Sequence, residues 1–218
     1  MRAAQSPALR IAALGRVIRR CTRCAALVRC RTRVVPGAGA APALIAFVGI
    51  APGRMGGDRT GIPFSGDRSG DLLRAMIARA GLESVFITNL VRCNPRDARG
   101  RNRDPKPREI ANCRAHLASE LAIVRPRIIV CLGRMAWREV AGRAAPFRPA
   151  PEILPMRDGA ILFPMYHPAY VNRGAYSKRD YLRDFRRLAA VAQALACATK
   201  PRTPRGLTET EATAMLTR

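Results

Sequence analysis

The sequence predicts an α/β fold: a three-layer α/β/α sandwich around a central, mainly parallel four-stranded sheet. Three observations carry this. Four short apolar runs, at residues 43–48, 85–87, 127–132 and 161–165, have the length and the β-branched composition of buried strands. Amphipathic helical patterns separate most of them, and strands that alternate with helices pair in parallel because each crossover returns the chain to the same end of the sheet. Finally, 218 residues with 48% apolar composition suit one domain with a single substantial core.

Taken in order, the chain opens with MRAAQSPALRIAALGRVIRR. Arg10, Arg16, Arg19 and Arg20 interrupt every apolar stretch, so the segment reads as a helix with Leu9, Ala12, Leu14 and Val17 facing inward, not as a targeting peptide. The first strand runs into Gly49-Ile50-Ala51-Pro52-Gly53 and a second glycine-rich stretch, GGDRTGIPFSGD, at 56–67. Glycines at a strand end let backbone N–H groups approach a flat ligand, although the pattern matches neither GxGxxG nor a P-loop. Ser65 or Asp67 can cap the helix predicted over 66–81, where Leu72, Leu73, Met76 and Ile77 share one face.

The second strand ends in FITN and leads to NPRDARGRNRDPKPR at 94–108, an exposed basic loop that either contacts phosphates or is a solvated insertion. A helix over 107–124 carries Ile110, Leu117, Leu121 and Ile123. Cys131 in the third strand reads as a small core residue. The fourth strand ends at His167-Pro168, and a last helix over 181–194 carries Leu182, Phe185, Leu188 and Val191. Residues 1–196 form one domain, and 197–218, rich in Pro, Thr and basic residues, a mobile tail. Working loops of a parallel sheet gather at the carboxyl ends of its strands, which selects GIAPG, TNLVRCNP, LGRMAW and YHPAY.

Composition narrows the function. Lys and Arg number 39 against 15 Asp and Glu, a net charge of +24, and such a chain gathers polyanions because binding phosphates releases their counterions. No apolar run approaches the roughly eighteen residues that a membrane span needs. Seven cysteines without a secretory signal argue for reduced thiols or a metal site, hence a cytoplasmic protein. Cys21 and Cys24 form a C-x-x-C; with Cys93 and Cys113 they supply four thiolates from separated places, suited to a cubane iron–sulfur cluster or a structural zinc. Cys30 and Cys197 compete as ligands. His116, one turn after Cys113, permits a Cys3His zinc site, although a solvent-facing histidine is the simpler expectation.

The ordered set GIAPG…GIPFSGDRSGDLL, TNLVRC…EIANC, VCLGRMAW and MYHPAY resembles the uracil-DNA glycosylase superfamily, and CTRC…CRTRVVPG with the two later cysteines resembles its iron–sulfur branch, families four and five. GGDRTG and GDRSGDLL are similar to family five; APG, IPF and HPAY are similar to family four, which has an acidic residue where this chain has Ile50.

The resemblance implies a glycosylase that hydrolyses the base–sugar bond of uracil in DNA to begin base excision repair, and the lack of a lysine near the strand ends to form a Schiff base makes it monofunctional. It further implies a 4Fe–4S cluster on Cys21, Cys24, Cys93 and Cys113, with structural zinc as the alternative. Ile50, Ala51 and Gly53 would line the base site, Phe64 would stack on the flipped uracil, and Asn89 would read its edge. His167 would stabilise the departing anion, and Asp58 would orient the water, with Asp67 as competitor. Tyr170 and Val171 would press into the duplex and Arg173 would contact phosphate. A monomer acting on uracil-containing DNA is expected. A non-catalytic module that recognises damaged bases is the competing reading.

Overall fold

The computed structural model describes residues 5–142, 147, 154–156 and 159–198. Its centre is a six-stranded sheet: β1 (Ala38–Gly39), β2 (Ile45–Gly49), β3 (Val85–Asn89), β4 (Ile128–Leu132), β5 (Leu154–Pro155) and β6 (Ile161–Met165). The order is β1-β3-β2-β4-β6-β5. The inner four are parallel, as expected. The two outer strands are antiparallel two-residue additions that the sequence did not announce, because Ala-Gly and Leu-Pro have no strand pattern to read.

Side chains alternate across the sheet, as the twofold repeat of a strand requires. Ile45, Phe47, Ile128, Val130 and Leu132 join one core layer with Leu73, Tyr181 and Phe185. Val48, Ile129 and Cys131 join the other with Ile18, Leu27, Leu117 and Trp137. The first layer is covered by α4 (Arg68–Arg79), α7 (Pro168–Asn172) and α8 (Lys178–Ala198). The second lies under α1 (Pro7–Arg19), α2 (Ala25–Cys30), α5 (Pro107–Val124) and α6 (Arg134–Val140). A one-turn α3 (Gly57–Thr60) sits in the loop after β2.

Several sequence expectations need correction. In α1 the buried positions are Gly15 and Ile18, while Leu9 and Val17 are 61% and 64% exposed; Ala12 is exposed too, and of the four residues expected inward only Leu14 is half-buried. The helix packs on α5, and its buried positions include a glycine that lies against Pro36, which hydrophobicity does not weigh. His116 is buried, not solvent-facing, and its Nε2 has no hydrogen-bond partner. Burial, Arg92 and Arg23 hold its pKa down, against Glu120. The last helix runs through Ala198, so Cys197 lies in α8 rather than opening a tail; residues 199–218 of that predicted tail lie outside the described residues.

A buried ion pair fixes the β3 end of the sheet. Arg92 donates to Glu120 at 2.7 Å, both side chains 1% exposed, and the same carboxylate accepts from the Thr88 hydroxyl at 2.6 Å and Gly37 N–H at 2.8 Å. Arg92 also donates to the backbone carbonyl of Asn89. A buried charge pair holds its place only when its remaining hydrogen-bonding capacity is met, and here the Glu120 carboxylate has a partner on each oxygen.

Candidate functional site

The chain passes from β2 to β3 on one side and then to β4 on the other, so the loops diverge above β2 and open a crevice at the carboxyl ends of the strands. A cavity of about 540 Å3 occupies it. Ile50, Ala51 and Gly53 line it, and Phe64, Asn89 and His167 come together on its wall. Arg173 stands at its rim, exposed.

Gly49 makes this convergence possible. A Cβ there would come within 2.5 Å of Asn89 Oδ1 and 2.6 Å of the Phe64 ring, so any other residue would drive the two side chains apart. Phe64 has a φ of 49°, in the left-handed region that a bulky residue rarely adopts, at a cost of roughly 1–3 kcal/mol. Arg74 restrains it, donating to the Phe64 carbonyl at 2.8 Å and the Pro63 carbonyl at 2.9 Å. Asn89 is 1% exposed, and its Oδ1 has no partner. A buried acceptor left unpaired costs about 1–3 kcal/mol, so an orphan carbonyl oxygen on a pocket wall is a site prepared for an external donor.

His167 caps α7: its Nδ1 accepts from Ala169 N–H at 3.1 Å. An imidazole nitrogen that accepts carries no proton, so the ring proton of the neutral form sits on Nε2. Burial, aided by the positive charge of Arg173, pushes the pKa down to about 4, and the ring is therefore neutral at physiological pH. Its centroid lies 5.5 Å from that of Phe64.

The two acids separate. Asp58 is wholly buried and does not line the cavity: its carboxylate accepts from Thr32 N–H at 3.0 Å and Arg33 N–H at 3.3 Å, and pairs with Arg96 at 2.5 Å. The water-orienting place expected of it is thus not where it stands, because Arg96 and the segment after α2 draw it away. Asp67 does line the cavity. One oxygen caps α4 through Gly70 N–H at 2.9 Å; the other lies where a Cβ on Gly53 would approach to 2.9 Å, beside the cavity lining.

Val171 is also corrected: it is 3% exposed and packs in the core, turned inward on the short α7, so it is not available to enter a duplex. Tyr170 is exposed and stacks on Tyr166 at 4.8 Å.

Sequence reasoning missed the wall supplied by the 94–108 loop. Asn94 is buried, donating to the Pro52 carbonyl at 2.7 Å and to Asn102 Oδ1 at 2.9 Å, and Asn102 accepts from Arg54 N–H at 3.1 Å. Asn94, Asn102 and Asp104 line the cavity. The signal available was Asn94 itself, an amide beside the second strand-end loop.

The four cysteines lie near enough to influence one another electrostatically. Cys21 and Cys24 lie in the turn between α1 and α2, Cys93 follows β3 and Cys113 lies in α5. Burial raises the Cys93 thiol to about 11, with Cys113 and Cys21 adding to the shift and Arg31 opposing it. Cys113 is raised chiefly by burial, and Cys24 and Cys21 contribute. Arg31 donates to Cys93 Sγ at 3.2 Å and Asn112 to Cys24 Sγ at 3.3 Å. Among the described residues, no group of three or more His, Cys, Asp or Glu closes into metal-holding geometry. The donor set itself, four neighbouring thiols with N–H donors at two sulfurs, fits a thiolate-held cluster. Cys30 instead points its thiol at the carbonyls of Leu27 and Asn94, and Cys131 is fully buried.

Comparison with known proteins agrees with this architecture. The profile of the uracil DNA glycosylase superfamily matches residues 36–189. A type-4 uracil-DNA glycosylase of Archaeoglobus fulgidus is 36% identical over 79% of this chain and 88% of its own length. One from Sulfurisphaera tokodaii is 36% identical over 79% and 80%. A type-5 uracil-DNA glycosylase of Pyrobaculum aerophilum is 32% identical over 80% and 90%. On the match to the family profile and to these relatives, the chain belongs to the uracil DNA glycosylase superfamily.

Proposed function

We propose that the protein excises uracil from DNA and leaves an abasic site. The observation that carries this reading is the orphan Oδ1 of Asn89 in a cavity that it lines together with Phe64 and with His167, a neutral ring whose Nδ1 is already engaged. Uracil matches that arrangement. Its flat ring stacks on Phe64, its N3–H donates to Asn89 Oδ1, and its O2 accepts from His167 as charge builds on the departing base. A neutral donor suits the task, since the pyrimidine anion is stabilised as it forms while the resting base is not protonated.

Asp67 holds the attacking water and its charge stabilises the cationic sugar. Among the described residues no lysine lines the cavity, so no Schiff base forms and the strand is left intact. Arg173 and the net charge of +24 hold the phosphate backbone. Cys21, Cys24, Cys93 and Cys113 are the residues that would hold a 4Fe–4S cluster, and with it bound they would staple the N-terminal helices to α5 and the loop after β3. The protein acts as a monomer in the reducing cytoplasm; none of the helices among the described residues is long and apolar enough to cross a membrane.

The test is a labelled oligonucleotide with a single uracil, incubated and then treated with alkali. Cleavage that requires the alkali step is expected, and Asn89→Ala should reduce the preference for uracil over cytosine, whose N3 carries no proton, by about tenfold or more, the scale of a buried hydrogen bond. Absence of alkali-sensitive product, or discrimination unchanged in the variant, contradicts the reading.

A further inference from the structure

The base cavity continues into a second cavity of about 710 Å3, with which it shares Ile50, Asp104, His167 and Arg173. The two form one cleft with different walls. In a chain that is only 5% aromatic, Tyr166, Tyr170 and Phe147 gather on this second wall. Tyr166 and Tyr170 are stacked 4.8 Å apart at 15°, Phe147 meets Tyr166 edge-on at 5.9 Å, and Tyr176 packs on Tyr166 at 4.6 Å. Tyr176 is itself fixed by a 2.9 Å hydrogen bond to Asp184. The platform is therefore held in place before anything lies on it.

Arg134 and Arg138 of α6 join Arg173 on the same cavity, all three exposed, and their guanidiniums make no hydrogen bond or ion pair among the described residues. Two carboxylates face them, Asp104 and Glu139, and Glu139 is already engaged by Arg114 at 3.4 Å. An aromatic platform edged by free guanidiniums is the combination that single-stranded nucleic acid requires: stacking for a base, charge for its phosphate.

We propose that this cavity is a nucleotide subsite for one residue flanking the uridine on the same strand. The flanking base lies on the Tyr166–Tyr170 stack and its phosphate on Arg134, Arg138 and Arg173. The proposal rests on the reading of the first cavity as the uracil site. In a duplex the flanking base is held by its complement, so the subsite favours single-stranded substrate.

The experiment measures binding of short single-stranded oligonucleotides that carry 2′-fluoro-2′-deoxyuridine, whose fluorine blocks excision. The nucleotide on the 5′ side or the 3′ side is replaced in turn by an abasic residue. Loss of the base on one side only should weaken binding about tenfold, within the range of one base stacked on an aromatic side chain. Tyr170→Phe should keep that dependence. Tyr170→Ala should remove it, binding the intact strand as weakly as wild type binds the abasic one. In the Arg134→Gln/Arg138→Gln double variant, the slope of log affinity against log salt should fall by roughly 0.7 for each phosphate no longer neutralised; an unchanged slope removes the phosphate half of the proposal.

An oligonucleotide that carries 2′-fluoro-2′-deoxycytidine in place of the uridine serves as control. No preference for the uridine strand would overturn the reading of the first cavity. A clear preference with no dependence on either neighbour, or a dependence that persists in Tyr170→Ala, overturns the subsite alone.

Discussion

At His167 one hydrogen bond sets both local structure and chemistry. By accepting from Ala169 N–H, Nδ1 caps α7 and leaves Nε2 as the ring's donor. Burial and Arg173 hold the pKa near 4, below the ordinary value of 6.5. Between those two values the unfolded chain takes up a proton that the folded ring refuses, so His167 contributes stability above pH 6.5 that is lost as the pH falls toward 4. Asp58 and Asp67 divide along similar physical lines: one is sealed by two backbone N–H groups and Arg96, the other borders the cavity. Asp67→Asn should lower the excision rate by about a hundredfold with little change in Tm, since a neutral amide still accepts at the cap but supplies no charge to the sugar. Asp58→Asn should do the reverse. Leaving Arg96 against an uncharged partner costs about 3 kcal/mol, roughly 6–12 °C in Tm for a chain of this size, with a much smaller loss of rate. Thermal melts and single-turnover rates for both variants separate the roles; a greater rate loss in Asp58→Asn would return the water to Asp58.

At the scale of elements, the loops after β2, β3 and β6 deliver the site, and the cysteines tie α1 and α2 to α5. Cys93→Ser and Cys21→Ser should each lose bound iron and melt at lower temperature, as read by iron content and calorimetry; full iron in either variant would remove that residue from the ligand set. The inner strands and the helices α4 and α5 were legible because burial on both faces, or on one stripe, writes a repeating apolar pattern. The same logic explains the failures. The inward face of α1 includes Gly15, which carries no apolar signal, while exposed Leu9 and Val17 carry a strong one. Val171 stands in a five-residue helix, too short for periodicity to say which way it points. Ile50, Asn89 and His167 stand at or just beyond strand ends, and Phe64 in the glycine-rich loop between α3 and α4, in ordered motifs that could be read before the cavity they line was known. The choice between Asp58 and Asp67 could not, because it is made by Arg96, 38 positions beyond Asp58 in sequence.

For the whole molecule, the parallel sheet sets the geometry and the charge sets the partner. The reversal of strand order at β2 opens the crevice, and an excess of basic residues concentrates a polyanion around it. Within that field the central claim is narrow: a neutral histidine, not a cationic one, stabilises the departing base. The most direct test is the single-turnover rate of uracil excision against pH for wild type and His167→Ala, with DNA binding followed alongside. The account predicts a wild-type rate with no inflection at 6.5 and an acid limb from His167 near 4, and a variant about a hundredfold to a thousandfold slower that still binds DNA. A wild-type inflection near pH 6.5, or a variant as fast as wild type, would contradict it.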